Sequence, residues 1–88
     1  MLEELEKAAA ELSAKVSYES LAATVGIGGL CRVKGEYRII VDKRSTARER
    51  VAALAQAISN LDYAELSLSK KVREVVDFYR NARARAAG

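Results

Sequence analysis

The sequence predicts an α+β domain in which a small antiparallel sheet packs on helices, in the order α-β-β-β-α-α. Three observations carry that expectation. Apolar residues recur at helical spacing near both ends of the chain and over residues 46–61, and two short β-prone runs flank a glycine in between. The 88 residues leave room for one domain, 1–88, and little for a second. A chain this short has a thin core, so nearly every large aliphatic side chain must join it.

Leu2, Leu5, Ala9, Leu12 and Val16 follow one another at intervals of three and four, the stripe of a half-buried helix. The same stripe fits two heptads, so a self-paired helix is the alternative to packing on the sheet. Val16-Ser17-Tyr18 alternates and reads as a short strand. Gly26-Ile27-Gly28-Gly29 breaks regular structure and reads as a turn. Leu30–Val33 and Tyr37–Val41 then flank Lys34-Gly35-Glu36, the pattern of an antiparallel hairpin. Val33, Ile39 and Val41 are expected to face the helices and Leu30 and Ile40 the other side, leaving a second apolar sheet face.

Thr46-x-x-Glu49 is a capping box, and it opens a helix over 46–61 whose stripe is Val51, Leu54, Ile58 and Leu61. The alanines around that stripe allow close approach to the sheet, and Asn60-Leu61-Asp62 ends it. A connection with Leu66 and Leu68 leads to a last helix capped by Ser67 or Ser69, with Val72, Val75, Val76 and Tyr79 turned inward. Residues 80–88 form an Ala/Arg-rich basic tail, expected to fray.

Charge and composition exclude several function classes. The net charge is +3, with an acidic start (Glu3, Glu4, Glu6, Glu11) and a basic end (Lys70, Lys71, Arg73, Arg80, Arg83, Arg85). The chain has no His and a single Cys, so it can form neither an intramolecular disulfide nor a Cys/His zinc cluster. Cys31 has no His to activate it and is expected as a buried, inert thiol. Ser69 and Lys70 are adjacent at a helix start, where side chains diverge, which favours a cap over a dyad. Gly26–Gly29 lacks the Lys-Ser/Thr of a phosphate loop. No catalytic residue, metal ligand or cofactor is therefore expected. The first turn is acidic rather than basic and apolar, unlike a signal peptide, and no apolar run approaches the roughly 20 residues of a membrane span. Cytoplasmic location, without membrane association, is the expectation.

Residues Gly28–Gly35, the apolar strand to Val41 and the helix Arg48-Glu-Arg-Val-Ala-Ala-Leu-Ala-Gln-Ala-Ile-Ser-Asn60 resemble a minimal zincin-like metallopeptidase domain of the ImmA/IrrE type. In that family a glycine-containing hairpin precedes a helix bearing His-Glu-x-x-His, whose two His bind zinc and whose Glu activates the bound water. Gln56 and Asn60 stand here in place of the two His, and Ala57 in place of the Glu. The resemblance implies a degenerate scaffold without the chemistry, and Gln56 with Asn60 as a vestigial pocket. As i, i+4 neighbours they share a helix face; read from the residues alone, they are a polar pair bonded to the sheet edge or to water.

Lys43, Arg44, Arg48 and Arg50 crowd the start of the second helix, where the macrodipole disfavours cations; an anion or a partner's carboxylate would relieve them, and a solvated basic surface is the plainer alternative. The expected function is a non-catalytic interaction or regulatory domain acting by protein–protein binding, and self-associating as a homodimer. The alternative is an anion- or nucleic-acid-binding module using residues 43–50 and the basic tail.

Overall fold

The computed structural model describes residues 1–20 and 29–87. The glycine-rich turn expected at Gly26–Gly29 lies outside the described residues except for Gly29, which opens a strand. The elements are α1 (Leu2–Glu11), β1 (Ala14–Glu19), β2 (Gly29–Val33), β3 (Glu36–Asp42), α2 (Ala47–Ile58) and α3 (Lys70–Ala87), an α+β domain in the expected order. The sheet order is β1-β3-β2. β2 and β3 form the antiparallel hairpin, but β1 runs parallel to β3, so the sheet is mixed rather than wholly antiparallel. A stripe within one strand cannot reveal the direction of its neighbour; the crossover that decides it lies elsewhere in the chain.

α1 buries Leu5, Ala8 and Ala9 and stops at Glu11, where Leu12 and Ser13 turn the chain, Ser13 at φ 61°. Val16 is therefore not the last position of the helical stripe, as expected, but the third residue of β1. The hairpin turn is tighter than expected. Lys34 and Gly35 alone make it, at φ 51° and 82°, and Glu36 already belongs to β3. Two central residues of positive φ match the right-handed twist of the strands they join.

Register and alternation assign the sheet faces. Leu30 lies opposite Ile39 and Arg32 opposite Tyr37, so both point with Ile39 and Val41 toward the helices. Val33, paired with Glu36, points away and is 42% exposed. The orientation expected for Leu30 and Val33 is thus reversed, because a two-residue turn shifts the pairing by one and moves every β2 side chain to the other face. The open face carries Lys15, Ser17, Glu19, Glu36, Arg38 and Asp42 and is largely polar, with Gly29, Cys31, Val33 and Ile40 forming its apolar side. Cys31 is half-buried there, not enclosed as expected.

The core joins Leu5, Ile39, Val41, Leu54, Ile58, Val72 and Val76 with buried alanines of α1 and α2. α2 contacts both other helices and strands β2 and β3. Its start is the capping box read from the sequence: Thr46 Oγ1 accepts from Glu49 N at 3.2 Å, and Glu49 Oε1 accepts from Thr46 N at 2.9 Å. Ser69 caps α3 by accepting from Val72 N, and its own N–H donates to Glu4 Oε2 of α1 at 2.6 Å. That backbone donor holds the Glu4 carboxyl below its ordinary range. Tyr63, in the connection before α3, is buried, and its hydroxyl donates to Asp77 Oδ1 at 2.5 Å. α3 runs as a continuous helix to Ala87, so the tail expected to fray from residue 80 is helical, though exposed from Arg80 onward wherever its side chains are described.

Tyr18 donates its hydroxyl to Glu6, and the Arg50 guanidinium lies 4.7 Å from its ring centroid. Burial, reinforced by the Glu6 hydrogen bond, pushes the Tyr18 hydroxyl up to about 12. Because the folded state holds that proton more tightly than the unfolded chain, the corresponding stability is complete below the ordinary tyrosine pKa of about 10 and disappears as pH rises toward about 12. Burial and the Asp77 hydrogen bond push Tyr63 the same way.

Two predictions follow from this packing. Leu54→Ala and Ile58→Ala, both at 0% exposure, are each expected to lose about 2–4 kcal/mol in urea denaturation, whereas Lys7→Ala on the exposed side of α1 changes little. Tyr18→Phe is expected to lose less stability than wild type between about pH 9.5 and about pH 11.5 in matched denaturation curves, and an equal loss contradicts the Tyr18 assignment.

Candidate functional site

Where α2 passes over the start of β2 and the end of β3, a cleft of about 620 Å³ opens between them. Its existence follows from residue size. α2 lines it with Ala53, Ala57 and Gln56, and β2 begins with Gly29, whose Cβ position has no atom of the described residues within 4 Å. Leu30, Ile40 and Val41 complete an apolar wall, and polar groups occupy the two ends.

Asp42 and Ser45 form one end. Asp42 builds the turn into α2: its Oδ1 accepts from Arg44 N at 3.0 Å, and its carbonyl accepts from Ser45 N at 3.0 Å. The carboxylate is thereby tied to the backbone. Gln56, in the last turn of α2, and Asn60, just past its cap Ser59, form the other end, so the helix face their spacing implied is not what joins them. Asn60 Nδ2 donates to Gln56 O at 3.0 Å, and Ser59 Oγ donates to the same oxygen at 2.6 Å. This carbonyl in the last turn of α2 has no partner farther along the helix, so the two side chains supply what the backbone cannot. Neither side chain is bonded to the sheet edge. Both are exposed, and the Gln56 amide is presented at the cleft mouth.

The cleft thus brings Gln56 and Asn60 together with Ala57 between them, in a wall whose single ionisable side chain among the described residues is Asp42. Such a lining offers apolar contact, two amides, a hydroxyl and backbone groups; it suits binding. Among the described residues no three His, Cys, Asp or Glu side chains lie close enough to share a metal ion, and no helix is long and apolar enough to cross a membrane.

The four basic residues expected to act together are divided. Lys43, Arg44 and Arg48 are exposed around the β3–α2 turn. Arg50 folds back: a terminal guanidinium nitrogen donates to Lys43 O at 2.8 Å while the group stacks on Tyr18, and its Nε is buried without a hydrogen-bond partner. The N-terminus of α2, where an anion would sit, already holds the Thr46 hydroxyl and the Glu49 carboxylate. Arg50 therefore belongs to the fold and not to the exposed patch.

A second cleft, of about 900 Å³, lies beside β1 and the hairpin turn. Its walls hold Glu6, Lys15, Glu36 and Arg38, with Lys15 Nζ 4.0 Å from Glu36 Oε2 in an exposed pair. Charged groups of both signs line this larger cleft, whereas Asp42 is the ionisable side chain among the described residues of the first. Sequence reasoning did not find it, because it joins α1, β1 and the hairpin turn through a parallel pairing that no local pattern reveals.

Arg50→Ala is expected to destabilise by about 1–2 kcal/mol, through the lost stacking and hydrogen bond, while Arg48→Ala stays within about 0.5 kcal/mol; denaturant titration measures both. No protein-family model matches this chain, and neither a curated protein nor a solved structure matches it.

Proposed function

We propose that this chain is a non-catalytic interaction domain that binds protein through the cleft between α2 and β2. The observation that carries this reading is the cleft itself: an apolar wall of Leu30, Ile40, Val41, Ala53 and Ala57 ending in amide and hydroxyl groups, with its one carboxylate engaged in a turn. An apolar channel with a few polar groups at its ends accepts a polypeptide segment and offers no acid–base pair for turnover. The position of Gln56, Ala57 and Asn60 in its wall is where a zincin-derived scaffold would carry His, Glu and His, which supports descent from such a domain with the metal chemistry lost. The exposed Lys43, Arg44 and Arg48 beside the cleft favour an acidic residue flanking the bound segment.

Selection of displayed random peptides against the immobilised domain tests the reading. Selected peptides are expected to bind wild type in the micromolar range and to lose at least tenfold in affinity to Ala53→Trp, which fills the channel, with binding largely retained at high salt. Peptides that bind Ala53→Trp equally well overturn the cleft as the site. Binding confined to polyanions and lost steeply with salt instead supports the anion- or nucleic-acid-binding alternative.

A further inference from the structure

The outer edge of β2 runs along the same cleft. β2 is a terminal strand of the sheet, and among the described residues nothing hydrogen-bonds to its free side. The turn fixes which of its groups are free. A two-residue turn of positive φ makes its flanking residues, Val33 and Glu36, a pair that exchanges both N–H···O bonds. Alternation then turns the N–H and C=O of Cys31 and Gly29 inward to β3, and those of Leu30 and Arg32 outward.

We propose that this edge and the cleft beside it hold a second copy of the chain, β2 against β2 antiparallel, about a two-fold axis through Cys31. The inference rests on the reading of the cleft as a protein-docking site and names the partner. The strand is complementary to itself in this register. Leu30 lies opposite Arg32 of the copy, and since both turn their backbone groups outward, the pairing forms four hydrogen bonds. On the open face, Val33, 42% exposed, lies opposite Gly29 of the copy, where a Cβ would meet no atom of the described residues within 4 Å. The side chain that projects therefore meets the residue without one, beside Ile40.

Charge points to this edge and away from the other. The open-face residues of β2 are Gly29, Cys31 and Val33, all neutral, and its one charge, the exposed Arg32, lies on the helical face with its guanidinium 5.4 Å from the Tyr37 ring centroid. β2 carries no proline or bulge. β1, the opposite edge, carries Lys15 and Glu19, the charges that keep an exposed strand from pairing. The two-fold uses the free edge of both copies, so association closes at the dimer. On the helical side it keeps both α2 helices on one side of the continuous sheet, with the cleft walls bearing Ala53, Gln56 and Asn60 turned toward each other. Alanines let helices approach, and paired amides satisfy one another without charge.

Sedimentation velocity of the full chain from about 1 to about 100 µM is expected to show a monomer–dimer equilibrium. Arg32→Pro removes a donor that points outward, at an edge-strand position that tolerates proline, and is expected to be monomeric with an unchanged circular dichroism spectrum. Cys31→Lys, which sets two ammonium groups opposite one another at the axis, is the second variant and is also expected to be monomeric. In wild type, diamide, which takes up the two electrons and two protons of the thiols, is expected to join Cys31 to Cys31 of the copy. A non-hydrogen-bonded pair brings the Cα atoms to about 4.5 Å, within disulfide range. The double variant Cys31→Ser/Val33→Cys, with its sulfurs roughly 14 Å apart along the strands, is expected not to cross-link. A wild-type chain that stays monomeric throughout, or a dimer that survives both Arg32→Pro and Cys31→Lys, overturns the proposal. Loss of peptide binding in Ala53→Trp, measured on monomeric Arg32→Pro, is independent of it, so the docking reading and the choice of partner fail separately.

Discussion

The burial of α2 is the constraint on which the rest of the structure depends. Leu54 and Ile58 are fully enclosed, and the helix that carries them contacts α1, α3, β2 and β3. Each such side chain contributes about 1.5–3 kcal/mol by leaving water, and a domain of this size has few of them. The central strand answers with Ile39 and Val41, both buried on the face toward α2. Alanines fill much of what remains: Ala8 and Ala9 on α1, and Ala55 and Ala57 on α2, are all buried. Small residues let the helices and sheet approach closely. The same property, on the side of α2 that looks over β2, leaves space where no larger side chain reaches, so the core and the cleft have a common origin in the alanines of one helix.

Polar ties between elements hold this thin core in register. Glu4 of α1 accepts from the N–H of Ser69, the cap of α3, and joins the two terminal helices. Tyr18 links β1 to α1 through Glu6 and to α2 through the stacked Arg50. Tyr63 ties the last connection to α3 through Asp77, with Arg80 over its ring at 5.8 Å from the centroid. Two of the three use a tyrosine, buried at Tyr63 and half-buried at Tyr18, whose hydroxyl reaches a carboxylate, so one residue supplies both apolar area and orientation. Around the cleft the same economy appears at the ends of α2, where Thr46 and Glu49 fix its start and Ser59 and Asn60 its last turn. The cleft is bounded by a helix whose two ends are anchored by side chains, and a wall held in this way is pre-organised for binding.

Much of the fold was legible in the sequence, and the part that was not has a consistent cause. The α1 stripe as far as Ala9, the β2–β3 hairpin, the Thr46–Glu49 capping box and a serine cap of α3, at Ser69 of the two candidates, are local patterns, each contained within a few residues, and each is present. Gln56 and Asn60 do meet at the cleft, but not on a shared helix face: α2 ends at Ile58, and Asn60 folds back past the cap to the Gln56 carbonyl. The misread features depended on register or on a distant partner. A turn of two residues rather than three reversed Leu30 and Val33. Arg50 looked like its neighbours Lys43, Arg44 and Arg48 until Tyr18, far off in sequence, took up its guanidinium.

By itself, the sequence determined the element order, the buried side of α2 and the lack of any His to hold a metal, because these follow from periodicity and residue chemistry within short windows. Tertiary structure decided that β1 runs parallel to β3, that Leu30 faces inward while Val33 faces out, and that a cleft opens over Gly29 beneath Ala53 and Ala57. The reason is that strand direction, register and empty space are properties of pairs of elements. Their energies arise when surfaces separated by dozens of residues meet, and no single stretch of chain contains both sides.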